Sequence, residues 1–150
     1  MDILDFLRQD HEAVLSLFDK LDQMRGEKSK DGDKDRVFEE LKEALDLHTA
    51  GEEDIFYPPF REDDDLRPMI LKAIEEHHVA KLLLEELSGM QKDEYWDAKL
   101  SVLKESVEQH VEDEEEDVFA NAQEMFSEKQ RAEMGTRVAE MKKVQPAGKK

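Results

Sequence analysis

Apolar residues recur along this chain in steps of three and four, the period of an amphipathic helix. Leu4, Leu7, Val14, Phe18 and Leu21 form a first stripe, and His11 lies on it. The stripe predicts a helix from near Asp2, a good N-cap, to near Gly26, a good C-terminal cap. Phe38, Leu41, Leu45 and Ile55, with His48 and Glu52 among them, predict a second helix from about Asp35 to Phe56. Pro58 and Pro59 should end it, because proline cannot continue the hydrogen-bond ladder. Ile70, Ala73 (or Ile74), Ala80, Leu84 and Leu87 carry His77 on a third helix from about Leu66 to Met90, with Pro68 tolerated in its first turn. Leu100, Leu103, Val107 and Val118 carry His110 and Glu114 on a fourth, from about Glu94 to Met125.

Beyond it, Ser127-Glu-Lys-Gln130 resembles a capping box and predicts a last, shorter helix to about Lys143. The tail from Gln145 to Lys150 is expected to fray. The charged stretches Glu27 to Asp35 and Glu62 to Asp65 read as loops, the second supplying N-cap candidates. No segment alternates as a strand does. The expected fold is all-α: an antiparallel up-down four-helix bundle over residues 1–126, then a short C-terminal fifth helix and flexible basic tail over 127–150.

Composition narrows the function classes. Of 150 residues, 41% are charged and 38% apolar, which suits exposed helices around a narrow core. The formal charge of −18 repels nucleic acid and anionic membrane, so neither is expected as a partner. The absence of cysteine rules out disulfides and thiolate metal sites. No signal-peptide pattern or membrane-length apolar run is present, so a cytoplasmic location is expected.

The polar residues on the inner stripes repeat. His48 and Glu52 stand four residues apart, as do His110 and Glu114, and that step places both side chains on one helix face. Asp10-His11 and Glu76-His77 repeat likewise, so each half of the chain carries the order His, then HisxxxGlu. Burying four imidazoles and two carboxylates without partners would cost several kcal/mol, and metal coordination removes that cost. If both glutamates bridge two metals and each metal takes two histidines, each receives two nitrogens and two oxygens. A bridging oxide or hydroxide makes five ligands, which leaves a six-coordinate ion about one open position.

The residues Asp10-His11, His48-Thr-Ala-Gly-Glu52-Glu53-Asp-Ile-Phe-Tyr-Pro58, Glu76-His77 and His110-Val-Glu-Asp-Glu114-Glu115 resemble the hemerythrin-like, or HHE cation-binding, domain over residues 1 to about 126. The resemblance implies a four-helix bundle holding a non-haem di-iron centre, two oxo- or hydroxo-bridged iron ions. His11, His48, His77 and His110 would be terminal ligands, and Glu52 and Glu114 would bridge. Manganese and zinc also suit this donor set. Oxygen-carrying hemerythrins have a second histidine one turn from the third-helix ligand, but here the positions four away from His77 are Ala73 and Lys81. The ligand set is more similar to that of four-His, two-Glu members associated with iron handling and nitrosative or oxidative stress. The implied function is binding or sensing of O2, NO or peroxide, or iron handling under stress. The rivals are a storage module that delivers iron to a partner without turnover, and a plain structural bundle.

The remaining candidates receive quieter roles. His78 is expected to be exposed or to support the ligands from outside. Glu53, Glu115 and Glu116 are expected to be solvated charges, with ligation by Glu115 the alternative. Tyr57 is expected to pack at the bundle's end, and Phe6, Trp96 and Phe126 to pack in the core or cap it.

Overall fold

The computed structural model describes residues 1–26 and 32–148. Part of the predicted Glu27 to Asp35 loop and the last two residues of the tail lie outside them. The described residues form α1 (Ile3–Gln23), α2 (Asp33–Gly51), a π turn (Glu52–Phe56), α3 (Pro58–Arg61), α4 (Arg67–Ser88), α5 (Glu94–Asp113), a second π turn (Glu114–Val118), α6 (Phe119–Met125) and α7 (Glu128–Gly148). Among them there is no strand, and no helix is long and apolar enough to cross a membrane.

Contacts among α1, α2, α4 and α5 fit an alternating up-down arrangement. Arg25, just past the end of α1, donates to Ser101 near the start of α5, and Lys42 in α2 donates to Ser88 at the end of α4. Starts are fixed by acidic side chains: Asp2 accepts from the Leu4 backbone at 2.8 Å, and Asp93 accepts from Tyr95 and Trp96. In the acidic loop Asp63 plays this part by accepting from the Asp65 and Leu66 backbones, although it is not itself the residue preceding α4.

Two apolar clusters fill the bundle. One holds Leu7, Ile55, Phe56, Phe60, Ile70 and Phe119, and the other Phe18, Phe38, Leu41, Leu84, Trp96 and Leu103. Along each long helix His11, His48, His77 and His110 fall between the residues of the first cluster and those of the second. A polar layer therefore crosses the bundle between two apolar ones.

Two features depart from the periodicity. The second and fourth helices do not run unbroken to Phe56 and Met125, because each opens into a π turn at its inner glutamate. Nor does Pro58 end the helical path, since after the π turn it takes the first position of α3, where its missing N–H costs nothing. The fifth helix is also longer than predicted. Its capping box forms as expected, Ser127 and Gln130 each bonding the other's backbone N–H. It then continues past Lys143 to Gly148.

α7 lies against α1 and α2, and glycine permits the contact. A Cβ on Gly135 would stand 1.9 Å from the Met1 carbonyl oxygen, and one on Gly51 would stand 3.2 Å from Val138. Val138 is fully buried, and Arg131 reaches back to Asp2 at 2.8 Å.

Candidate metal centre

His11 comes from α1, His48 from α2, His77 from α4 and His110 from α5, and all four are buried. Glu52 and Glu114 open the two π turns and are 0% and 1% exposed. The structure brings all six predicted residues together. Donor atoms of His11, His48, Glu52 and Glu114 lie within 4.8 Å of one another, and so do those of Glu52, His77 and His110. Glu52 thus belongs to both groups. His48 Nε2 is 3.2 Å from Glu52 Oε1, and His77 Nε2 is 3.2 Å from His110 Nε2.

Every imidazole is held from behind by a carboxylate. Nδ1 of His11 donates to Glu115 at 2.7 Å, that of His48 to Asp10 at 2.9 Å, that of His77 to Glu53 at 2.7 Å and that of His110 to Glu76 at 2.6 Å. Each bond fixes the ring and leaves Nε2 facing the centre, where a cation would take the place of a proton. Glu53 and Glu115 are therefore not solvated charges, and Glu115 is a hydrogen-bond acceptor outside both donor groups. A ring aiming Nε2 inward offers Nδ1 toward the rim, where a neighbouring helix's flanking carboxylate stands. The signal was in the chain: an acid precedes His11 and His77, and a second glutamate follows Glu52 and Glu114. Glu116 and His78 are exposed as expected.

Tyr57 is the larger correction. It does not pack at the bundle's end. Its hydroxyl lies 3.1 Å from Glu52 Oε1, hydrogen-bonds Glu114 Oε2 and is 3.5 Å from His77 Nε2. The widened turn explains this placement. The Tyr57 backbone N–H bonds the Glu52 carbonyl five residues back at 2.7 Å, which shifts the side chain from where an α-helix would point it. No rule of helical periodicity anticipates a π turn.

Charge balance at the centre is tight. Burial alone would lower the His48 pKa, yet Glu52 and Asp10 push it up to about 10. Burial likewise opposes the charge on His110, but Glu52 and Glu76 raise its pKa to about 11. Glu52, despite its burial, is held well below the usual carboxylate range by His48 and its other neighbours. Glu114 is pushed up by burial and by the charge of Glu52. Burial and both glutamates also raise the Tyr57 phenol well above its ordinary value.

The donors fit a cation. His11 Nε2, His48 Nε2, Glu52 Oε2 and Glu114 Oε1 are buried without any hydrogen-bond partner. Each such atom costs roughly 1–3 kcal/mol, and a cation among them would satisfy all four. The profile of the hemerythrin HHE cation binding domain matches residues 2–122. The chain belongs to this family. A crystal structure of a hemerythrin HHE cation binding domain-containing protein from Mycobacterium kansasii aligns with a TM-score of 0.80, covering 98% of this chain and 89% of that one at 21% identity. That likeness is one of fold. No curated protein matches the sequence. In this HHE domain, then, clusters of buried histidine and glutamate stand where a cation could be held.

Proposed function

We propose that the protein is a non-haem di-iron protein that binds or senses O2, NO or peroxide, or handles iron under oxidative or nitrosative stress. The observation that carries this reading is the convergence of four unpartnered buried donor atoms, with every imidazole locked behind by a carboxylate. His11 and His48 would hold one ion and His77 and His110 the other. Glu52 reaches both, and Glu114 lies 3.0 Å from His11 and 3.7 Å from His110. Bound iron would supply an open coordination position and one-electron redox chemistry.

The chain's own residues do the rest. A cavity of about 30 Å³ touches all four imidazoles and is walled by Val14, Leu45, Ala80 and Val107. A water needs ≳10–15 Å³ by the same measure, so this space suits a molecule of two or so heavy atoms and excludes larger ones. Tyr57 lies among the other apolar cluster, across the polar layer, with its hydroxyl on the two glutamates. It can orient their carboxylates and lies where a seventh donor residue would stand.

Metal content by mass spectrometry, read with the visible spectrum in air, tests the proposal. About two irons per chain with charge-transfer bands are expected. One zinc, or neither metal nor colour, would overturn it. The rival storage reading is favoured by one observation, an open groove beside His110. Rapid loss of both irons to a chelator would decide for storage.

A further inference from the structure

The centre has two approaches of opposite character. One is the small apolar cavity against the imidazoles. The other is a groove of about 200 Å³ between α4 and α5, lined by Lys72, Glu76, Asp113, Asp117, His110 and Glu114 among others. Asp117 is exposed at its mouth, Asp113 is half-buried, and Glu114 is 1% exposed. Glu114 is also the residue whose Oε1 has no hydrogen-bond partner. The carboxylates thus descend from solvent to buried Glu114, whose Oε2 lies 3.7 Å from His110 and whose Oε1 lies 3.0 Å from His11. The matching face over α1 and α2 is closed by α7, with Val138 against Gly51 and Lys142 on Asp10.

We propose that the α4–α5 groove is the port through which a divalent cation reaches the centre, with Asp117 and Asp113 drawing it in and Lys72 as the one opposing charge in the lining. The inference rests on the metal-centre reading above. A water needs ≳10–15 Å³, so the groove of about 200 Å³ has room for a cation that keeps part of its hydration shell, whereas the cavity of about 30 Å³ does not. Carboxylates lining a concave wall focus the field and raise the local cation concentration, which acts on association rate. As carboxylates replace water stepwise from Asp117 inward, the ion never has to be stripped bare.

The test is stopped-flow uptake of Co(II) by chelator-stripped protein, followed by the d–d absorbance. Asp113→Asn with Asp117→Asn should load roughly three- to tenfold more slowly, with the final number of ions unchanged. Lys72→Glu should load faster, and added salt should shrink both differences. Glu39→Gln with Glu43→Gln removes the same charge from the outer face of α2 and should leave the rate near wild type. Wild-type rates in the groove variants, or equal slowing in the α2 control, overturn the port while leaving the centre standing. A wild-type protein that takes up no Co(II) at all overturns both.

Discussion

The two halves of the centre are near copies in what they offer a metal and unlike in what surrounds it. α1 and α2 bring their imidazole rings to 4.7 Å between centroids, and α4 and α5 bring theirs to 4.8 Å. Asp10 backs His48 as Glu76 backs His110, and Glu53 and Glu115 cross over to the opposite half. Even the stacked aromatics correspond: Phe119 lies over His11 five residues after Glu114, and Tyr57 over His77 five residues after Glu52. At that shared position one half has a hydroxyl on both glutamates and the other a bare ring. One half lies under α7, while the other opens to a groove. The donor geometry repeats between the halves, and the asymmetry around it sets access and hydrogen bonding. Two ions held there would have matching ligands and different surroundings.

The severest way to break the comparison is at the residue both halves share. Glu52→Ala removes a donor from both groups and should abolish binding of both ions. Glu114→Ala, whose donor groups with His11, His48 and Glu52 but not with His77 and His110, should weaken the second ion less. Metal counted per chain by mass spectrometry checks this. Two ions retained in Glu52→Ala would show that Glu52 holds neither.

Proton linkage should affect both halves alike. In chelator-stripped protein His48 and His110 have pKa values raised to about 10 and 11, against ~6.5 when unfolded. The folded state then binds more protons than the unfolded one above pH ~6.5. The stabilisation is fully present below that pH and is lost as pH rises through about 10 to 11. Thermal melts should therefore show the stripped protein losing stability from neutral to alkaline pH. The metal-loaded protein, whose Nε2 atoms hold cations instead, should lack that loss. Parallel curves for the two forms would mean that metal and proton do not compete at these nitrogens.

The covered half can be tested through α7. Gly135→Ala places a methyl against the Met1 carbonyl, a backbone atom with little freedom to retreat. Overpacking of this kind costs about 1–3 kcal/mol, and the upper end is expected here. Denaturant melts measure it, and metal release from the variant should be faster than from wild type. An unchanged midpoint would mean that α7 does not hold that half shut.

The bundle and its six inner donors were legible because both rest on one periodicity. Leu7, His11, Val14 and Phe18 share a stripe whether the stripe is apolar or ligating, and the eye follows it. Glu53 and Glu115 were illegible by the same rule, since they leave their own stripe to serve a ring on another helix. Tyr57 was hidden by the π turn, which inserts a residue into the count that a regular helix assumes. Its neighbours Pro58 and Pro59 suggested an ending, where the chain instead turns back into the core at Phe60. α7 was expected to end near Lys143, before the tail that begins at Gln145, and it runs on to Gly148. What docks it is Met134 and Val138 in the apolar core, with two glycines and a few ion pairs that leave little trace in hydropathy.

The finest probe of the comparison is the single oxygen that separates Tyr57 from Phe119. Tyr57→Phe makes the two positions alike without changing core volume and removes the hydroxyl from both glutamates. With ions bound, the carboxylates keep their principal partners, so the stability cost should be only about 1 kcal/mol, the worth of one hydrogen bond. The spectrum is the sharper readout. If the hydroxyl is a donor to iron, its removal deletes a phenolate-to-iron band and leaves two irons per chain. If it only steadies the glutamates, the bands shift slightly and none disappears. Phe119→Tyr in the Tyr57→Phe background moves the oxygen to the His11 side. Restoration of the wild-type spectrum there would mean that the halves are interchangeable, whereas a distinct spectrum is expected if α7 and the groove already make them unequal.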